Sequence, residues 1–176
     1  GFDKWFLEFG YRMTVEKPVT CLEHVEFCQM HPVRGPRGYT MVRNVRAALA
    51  KDTITVLPVS NEGSVRTWFK AVGQCGLSLA SGIPMMQSFY QLYDRQSTKM
   101  SKVAEHGAMQ TGMAMLARNM EHSYSAPTSD TRYSFWLAFG FTPDEQRAYE
   151  YKFDHYHIDY TKIVPADYKT VTHLEL

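Results

Sequence analysis

The chain has 176 residues, of which 44% are hydrophobic and 14% aromatic, and a chain of this size and composition buries one sizeable core instead of staying disordered. Its 19 basic and 18 acidic side chains leave a formal net charge of +1, which excludes a global field that would draw nucleic acid or anionic lipid to the protein. Recognition of phosphate must therefore depend on a local group of cations.

Three cysteines form an odd set without the spacing of a disulfide framework: Cys21, Cys28 and Cys75. Such usage favours a reducing compartment over secretion. No stretch approaches the roughly 18 consecutive apolar residues of a transmembrane helix, and the amino end has neither a basic segment nor a small-residue cleavage site. We therefore expect no transmembrane segment and no secretion signal.

The first predicted element is a helix over residues 2 to 9. Four aromatic residues recur along it at helical spacing: Phe2, Trp5, Phe6 and Phe9. Gly10 can end the helix in the left-handed conformation, and a short extended run follows from Tyr11 to Val15. Because an apolar face of this kind needs a partner, we expect the chain to follow, or to be cut from, an earlier segment.

A β-hairpin is predicted next. From Glu23 to Val33 the residues alternate between two sides of a strand, and one side is formed by Val25, Phe27, Gln29, His31 and Val33. A five-residue turn from Arg34 to Gly38 leads to a second alternating run from Tyr39 to Arg43.

After a short run from Thr53 to Leu57 the pattern becomes helical. Ser64 can cap a helix whose apolar residues are spaced by three and four: Val65, Trp68, Phe69, Val72, Cys75 and Leu79. A second helix is predicted to open at Pro84, and the methionine-rich stretch from Val103 to Met120 predicts a third.

The last two predicted helices meet at a tight corner. Residues 131 to 139 form a short aromatic helix that Gly140 ends, and T-P-D-E at residues 142 to 145 supplies a capping box with proline at the first helical position. The order of helix, hairpin and helical bundle predicts an α+β fold with segregated elements.

Two sets of residues have metal-ligand spacing. Cys21, His24, Cys28 and His31 follow C-x2-H-x3-C-x2-H, but in an alternating strand consecutive ligands would lie on different faces, which disfavours zinc. Asp154 and Asp159 follow D-x4-D near His155 and His157, and a solvated edge is favoured over a cation site there. The sequence has no G-x-S-x-G elbow and no Walker loop.

Five cations lie within eighteen residues: Arg34, Arg37, Arg43, Arg46 and Lys51. The planar fork of arginine matches phosphate oxygens, and a strand holds an arginine more rigidly than a loop does. The alternative is a solvated hairpin whose arginines pair with Glu23, Glu26 or Glu62. Arg43 shares a face with Tyr39 and Met41, so it needs a buried or half-buried partner.

Three stretches carry a resemblance to a known family. They are G-Y-R-M-T-V-E-K-P-V-T-C-L-E-H-V-E-F-C-Q-M-H-P-V at residues 10 to 33, Y-T-M-V-R-N at 39 to 44 and L-A-K-D at 49 to 52. This pattern resembles the RNA-dependent RNA polymerases of plus-strand RNA viruses, most closely the tombusvirus-like group. The resemblance implies a right-hand polymerase in which residues 1 to 44 are the end of the palm and residues 45 to 176 a helical thumb.

The resemblance also implies roles for single residues. Within the palm, residues 2 to 20 would be motif D, and Lys17 would donate a proton to the pyrophosphate leaving group. Residues 23 to 43 would be motif E, in which Phe27, Cys28 and Gln29 position the primer 3′ end. Arg43 and Lys51 would hold the triphosphate of the initiating nucleotide, and the hairpin-tip residues Arg34 and Arg37 would contact the product backbone.

The implied partners are RNA template and product, nucleoside triphosphates, and the upstream fingers and palm of the same polymerase. The family's metal-binding aspartates precede motif D, and this chain has no adjacent aspartate pair. We therefore expect Mg or Mn to be bound by upstream palm residues, and the chain alone not to be catalytic. The implied location is the host cytoplasm, in membrane-associated replication complexes held through other parts of the polymerase.

Two further readings stay open. The same arginines would support a non-enzymatic module that binds RNA or nucleotide phosphate. Alternatively, the chain is a helical interaction protein in which Arg43 is only an ion-pair residue. The aromatic residues and methionines of the bundle are predicted to be core and not platforms for base stacking.

Overall fold

The structure, a computed structural model, describes residues 1–55, 61–97 and 123–163, and the single positions 113, 115, 117 and 120. Across these residues the chain forms six α-helices and one pair of strands, which confirms the predicted α+β class. The elements in chain order are α1 (Phe2–Glu8), β1 (Met30–Gly35), β2 (Gly38–Arg43), α2 (Val45–Lys51), α3 (Glu62–Ala80), α4 (Met86–Gln96), α5 (Ser129–Phe139) and α6 (Pro143–His155). Most of the predicted methionine-rich helix and the end of the run from Thr53 lie outside the described residues.

Helix α1 has the predicted position but no buried residue. Its aromatic side chains contact one another, since the Trp5 ring lies 4.9 Å from the rings of both Phe6 and Phe9. Gly10 follows with φ +81°, the left-handed conformation expected of it. Residues 11–19 are exposed and contain neither helix nor strand.

The first strand begins at Met30, so the prediction of a strand from Glu23 was wrong. Leu22–His24 is a short 3-10 helix. Phe27 and Met30 then exchange two backbone hydrogen bonds, each of 2.9 Å, and Cys28 and Gln29 between them have positive φ. Two consecutive residues with positive φ reverse the chain as in a type I′ turn, which no continuous strand can contain.

The hairpin itself is confirmed, with a shorter loop than predicted. Strands β1 and β2 pair in antiparallel register from Met30 opposite Arg43 to Gly35 opposite Gly38, which leaves only residues 36 and 37 in the turn. Gly38, with φ +114°, resumes pairing in a conformation that favours glycine. Val33 of β1 and Val42 of β2 are buried and join the hairpin to the helical core.

Local capping explains where the longer helices begin. Asn61, and not the predicted Ser64, caps α3, and Ser64 completes the capping box as the third helical residue. Thr142 and Glu145 form the predicted capping box of α6, with proline at its start. Helix α4 begins at Met86, two residues after the predicted Pro84.

Helices α3 and α4 approach closely because two glycines face α4. A Cβ atom on Gly76 would lie 2.1 Å from the Tyr90 ring, and one on Gly73 would lie 2.4 Å from the backbone nitrogen of Asp94. The contact buries the largest part of the apolar core, including Trp68, Phe69, Val72, Phe89 and Tyr90. The aromatic residues of this region are therefore core, as predicted.

A buried carboxylate joins the hairpin to α5. Glu23 is 7% exposed and accepts hydrogen bonds from Ser134 Oγ at 2.8 Å, Cys21 Sγ at 3.1 Å and Tyr39 Oη at 3.3 Å. Ser134 Oγ in turn accepts the backbone N–H of Arg34 at 2.8 Å. Burial acts to raise the pKa of Glu23, but the donated hydrogen bonds outweigh it and hold the pKa below its usual range.

No helix of the described residues has the length and apolar character needed to cross a membrane.

We expect Glu23→Gln to destabilise the protein by about 1–3 kcal/mol at pH 7, because the amide replaces one acceptor oxygen by a donor that faces other donors. The stabilisation by Glu23 is complete above the ordinary glutamate pKa of about 4.3 and is lost as the pH falls through the lower folded pKa. Urea unfolding at pH 7 and pH 3 measures both effects. Glu16→Gln, on the exposed segment before it, is the control; an equal loss in both variants would contradict the assignment.

We expect Gly76→Ala to destabilise the protein by about 1–3 kcal/mol, because the added methyl group overlaps the Tyr90 ring and forces α3 and α4 apart. Thermal unfolding measures this loss. In the control Gly63→Ala, on the same helix, the new Cβ meets only the Asn61 side chain, at 3.2 Å. A Gly76 variant as stable as this control would show that the close approach is not needed.

Candidate phosphate-binding site

Arg43 lies at the end of β2 and is half-buried, with 38% of its side chain exposed. Its Nη1 donates to Oδ1 of Asp52, whose side chain is only 2% exposed. The partner that the sequence analysis requires for Arg43 is therefore a buried aspartate nine residues further along the chain.

Asp52 has a second donor from the helical bundle. Its Oδ2 accepts a hydrogen bond of 2.7 Å from the hydroxyl of Tyr90, a buried residue of α4. Burial raises the pKa of Tyr90, and the neighbouring Asp52 charge raises it further. The phenol therefore stays protonated at neutral pH and remains a donor.

The short helix α2 brings Asp52 back to Arg43. Asn44, directly after Arg43, caps this helix by accepting the backbone N–H of Ala47 at 3.1 Å. Two helical turns later, Asp52 ends the helix and donates its backbone N–H to Ala48. The end of β2 and the end of α2 are thus in contact, although they lie nine residues apart in sequence.

The Phe27–Met30 turn lies beside Arg43. The carbonyl of Gln29 accepts the backbone N–H of Asn44 at 2.8 Å, so the turn is bonded to the residue that follows Arg43. Phe27 is 69% exposed, and Cys28 and Gln29 are also exposed. The structure therefore brings the predicted primer-positioning residues next to Arg43 at the open end of the hairpin.

Lys51 lies beside this group but outside its contacts. It is the last residue of α2, is exposed, and makes no ion pair with any described residue. A lysine in the last turn of a helix interacts favourably with the helix dipole. Its charge stays available to solvent, whereas part of the charge of Arg43 is balanced by Asp52.

A cavity of about 390 Å³ separates the hairpin from α3 and α4. Apart from Arg43 and Tyr90, its described lining is apolar: Met30, Met41, Val42, Leu79, Ala80, Met86 and Met113. Lys51 is not among these lining residues. An apolar cavity does not suit a triphosphate, and Arg43 is its only described charged lining residue.

The remaining predicted residues are separate from this group. Arg34 and Arg37 have exposed side chains at the hairpin tip, and Lys17 lies in the exposed segment before the hairpin. No described contact joins Lys17 to Arg43. The described residues do not show Arg43 paired with a glutamate. Glu62 pairs with Arg66 at 2.7 Å, and Glu23 is bound by neutral donors.

The described residues do not fit a metal. No group of three or more His, Cys, Asp or Glu side chains among them could hold an ion. Asp52 uses both oxygens for Arg43 and Tyr90. No step of metal-assisted chemistry is therefore assigned to the side chains of this part of the chain.

Sequence reasoning missed the roles of Asp52 and Tyr90. The sequence pattern places Asp52 only within L-A-K-D and predicts the aromatic residues of the bundle, to which Tyr90 belongs, only as core. The available signal was the need of Arg43 for a buried partner, which an acidic residue directly after an apolar helix could satisfy.

Comparison with known proteins gives a consistent result. A family model described as viral RNA dependent RNA polymerase matches residues 1–161. The RNA-directed RNA polymerase of Tobacco necrosis virus (strain A) is 38% identical over 168 residues, which are 95% of this chain and 23% of the relative. The corresponding polymerase of Melon necrotic spot virus is 41% identical over 155 residues, which are 87% of this chain and 20% of the relative.

A third relative, the RNA-directed RNA polymerase of Tomato bushy stunt virus (strain Cherry), is 40% identical over 161 residues, or 89% of this chain and 19% of the relative. The chain thus spans about a fifth of the length of these curated relatives. No solved structure matches it. The match over most of its length confirms the predicted resemblance: the chain belongs to the viral RNA-dependent RNA polymerase family.

Proposed function

We propose that this chain is the carboxy-terminal palm and thumb portion of a viral RNA-directed RNA polymerase, with the division near residue 44, and that it positions the product 3′ end and the initiating nucleotide during genome replication. Support comes from the family match and from relatives that carry this activity in their names and are several times longer. The partners are then RNA template and product, nucleoside triphosphates, and the upstream fingers and palm.

The observation that carries the proposal is the arrangement of Arg43. Its guanidinium is held by Asp52, and 38% of the Arg43 side chain is exposed. The Phe27–Met30 turn lies beside Arg43, since Gln29 accepts the backbone N–H of Asn44. Arginine has five N–H donors, and the contact with Asp52 uses one of them. The donors that remain suit the oxygens of a triphosphate, which they would bind with charge-assisted hydrogen bonds.

Lys51 supplies the net positive charge of the site. Arg43 and Asp52 together are close to neutral, so an anion approaching them gains hydrogen bonds but little long-range attraction. Lys51 is exposed and has no described ion pair. It therefore adds an uncompensated cation at the end of α2, directly before Asp52. In this proposal Arg43 orients the phosphates and Lys51 attracts them.

The metal-binding part of the chemical step is proposed to lie upstream of this chain. Transfer of a nucleotide uses two divalent cations about 3.5–4 Å apart, held by carboxylates. We place the aspartates that bind Mg or Mn in the upstream palm, since the related polymerases are several times longer than this chain. Lys17 is proposed to donate the proton to the leaving pyrophosphate from its exposed segment, and Arg34 and Arg37 to contact the product backbone.

We expect Arg43→Lys in the complete polymerase to weaken primer-independent initiation by about ten-fold, because lysine keeps the charge and the pairing with Asp52 but loses the planar fork. Extension of an annealed primer should fall much less, since no initiating triphosphate is then bound. Alanine is avoided because it would leave Asp52 buried and unpaired. The control is Arg46→Lys, an exposed arginine whose guanidinium lies 5.2 Å from the Phe141 ring centroid. Equal losses in initiation and extension would count against the proposed role of Arg43.

We expect Lys51→Gln to make RNA binding by the complete polymerase less dependent on salt. Loss of one phosphate contact should reduce the slope of log affinity against log salt by about 0.7 to 0.9, whereas Lys162→Gln, remote in sequence and paired with Asp159, should leave it unchanged. Filter binding between 50 and 200 mM salt, the range over which the effect is large, measures the slope. An unchanged slope for Lys51→Gln would remove this lysine from the phosphate-binding surface.

A further inference from the structure

We infer that Asp52 and Tyr90 are positioning residues for the initiating nucleotide: Tyr90, on the thumb helix α4, fixes Asp52, and Asp52 fixes the guanidinium of Arg43. This inference rests on the proposed function, because it assigns to the thumb the control of a residue proposed to bind the triphosphate. It extends the site to two residues that touch no phosphate themselves.

The contacts form a continuous series from the hairpin to α4. Arg43 Nη1 donates to one oxygen of Asp52, and the hydroxyl of Tyr90 donates to the other at 2.7 Å. Because the two oxygens have different donors, the carboxylate cannot rotate without breaking one hydrogen bond. The guanidinium is therefore held through Nη1, and its remaining N–H donors have no described side-chain acceptor.

The packing of α3 and α4 fixes Tyr90 in turn. Its ring lies so close to Gly76 that a Cβ there would be 2.1 Å from it, and the ring of Phe89 lies 5.2 Å away at an edge-to-face angle. Tyr90 is almost fully buried, and its ring is held between Gly76 and Phe89 while another part of it lines the apolar cavity. The position of its hydroxyl is thus set by how closely the two helices pack.

The hydroxyl of Tyr90 satisfies the second oxygen of a carboxylate that is only 2% exposed, as a buried ion pair requires. Without the hydroxyl, Asp52 has one oxygen unpaired and can turn both oxygens toward Arg43 in a bidentate contact. That contact would occupy a second donor of Arg43 and change the orientation of its guanidinium.

The test uses the complete polymerase with Tyr90→Phe, which keeps the ring against Gly76 and removes only the hydroxyl. We expect the KM for the initiating nucleotide to rise about three- to ten-fold, with a much smaller change in the KM for nucleotides added during primed extension. The matched control is Tyr93→Phe on the same helix, a half-buried tyrosine whose hydroxyl has no described contact with Asp52. Thermal unfolding of both variants compares their stability.

A double variant separates positioning from stability. If Tyr90 acts through Arg43, adding Tyr90→Phe to Arg43→Lys should raise the KM for the initiating nucleotide no further. Additive effects, or a Tyr90→Phe variant that behaves like Tyr93→Phe, would overturn the inference. Asp52→Asn provides an independent check, since loss of the charge that holds Arg43 should raise the same KM at least as much as loss of the hydroxyl.

Failure of this inference and failure of the proposed function give different results. If Arg43→Lys shows an initiation defect and Tyr90→Phe does not, Arg43 binds the nucleotide without help from α4, and only the inference falls. If Arg43→Lys shows no selective defect, the proposed role of Arg43 falls and the inference falls with it.

Discussion

The burial of one carboxylate, that of Asp52, is the constraint on which the described site depends. A carboxylate removed from water must be matched by donors, and Arg43 of the hairpin and Tyr90 of the bundle provide them. The buried carboxylate of Glu23, between the hairpin and α5, is also matched by donors, which are neutral groups instead of a cation. The hairpin is therefore held against the bundle by the hydrogen bonds of two buried anions together with the apolar contacts of Val33 and Val42.

The sequence predicted those features that depend on neighbouring residues. The capping box at Thr142 and the left-handed glycine at Gly10 are set within one turn of chain, and both were found as expected. The apolar spacing of Trp68 and Phe69 likewise identified the buried face of α3. Arg43 has a buried partner as expected, although Tyr39 and Met41, the neighbours from which the need was argued, are exposed.

Features that depend on contacts between distant segments were not predictable in this way. One local feature is also missed, because the alternation from Glu23 predicts a strand and Cys28 and Gln29 are not the Asn-Gly type of residues that signal a type I′ turn. Glu23 itself is turned inward by Ser134, a residue more than a hundred positions away. Whether Asp52 can reach Arg43 depends on the residue at which α2 ends. Helix propensity alone does not predict that residue to better than one or two positions.

The turn at Cys28 and Gln29 has a consequence for how this surface is maintained. Residues with side chains in the left-handed region carry conformational strain of about 1–2 kcal/mol each, which glycine at the same positions would relieve. Both side chains are exposed, so packing against the core does not compensate for that strain. The turn therefore presents two exposed side chains beside Arg43 at a cost in folding free energy, and glycine at either position would lower that cost and remove a side chain from this surface.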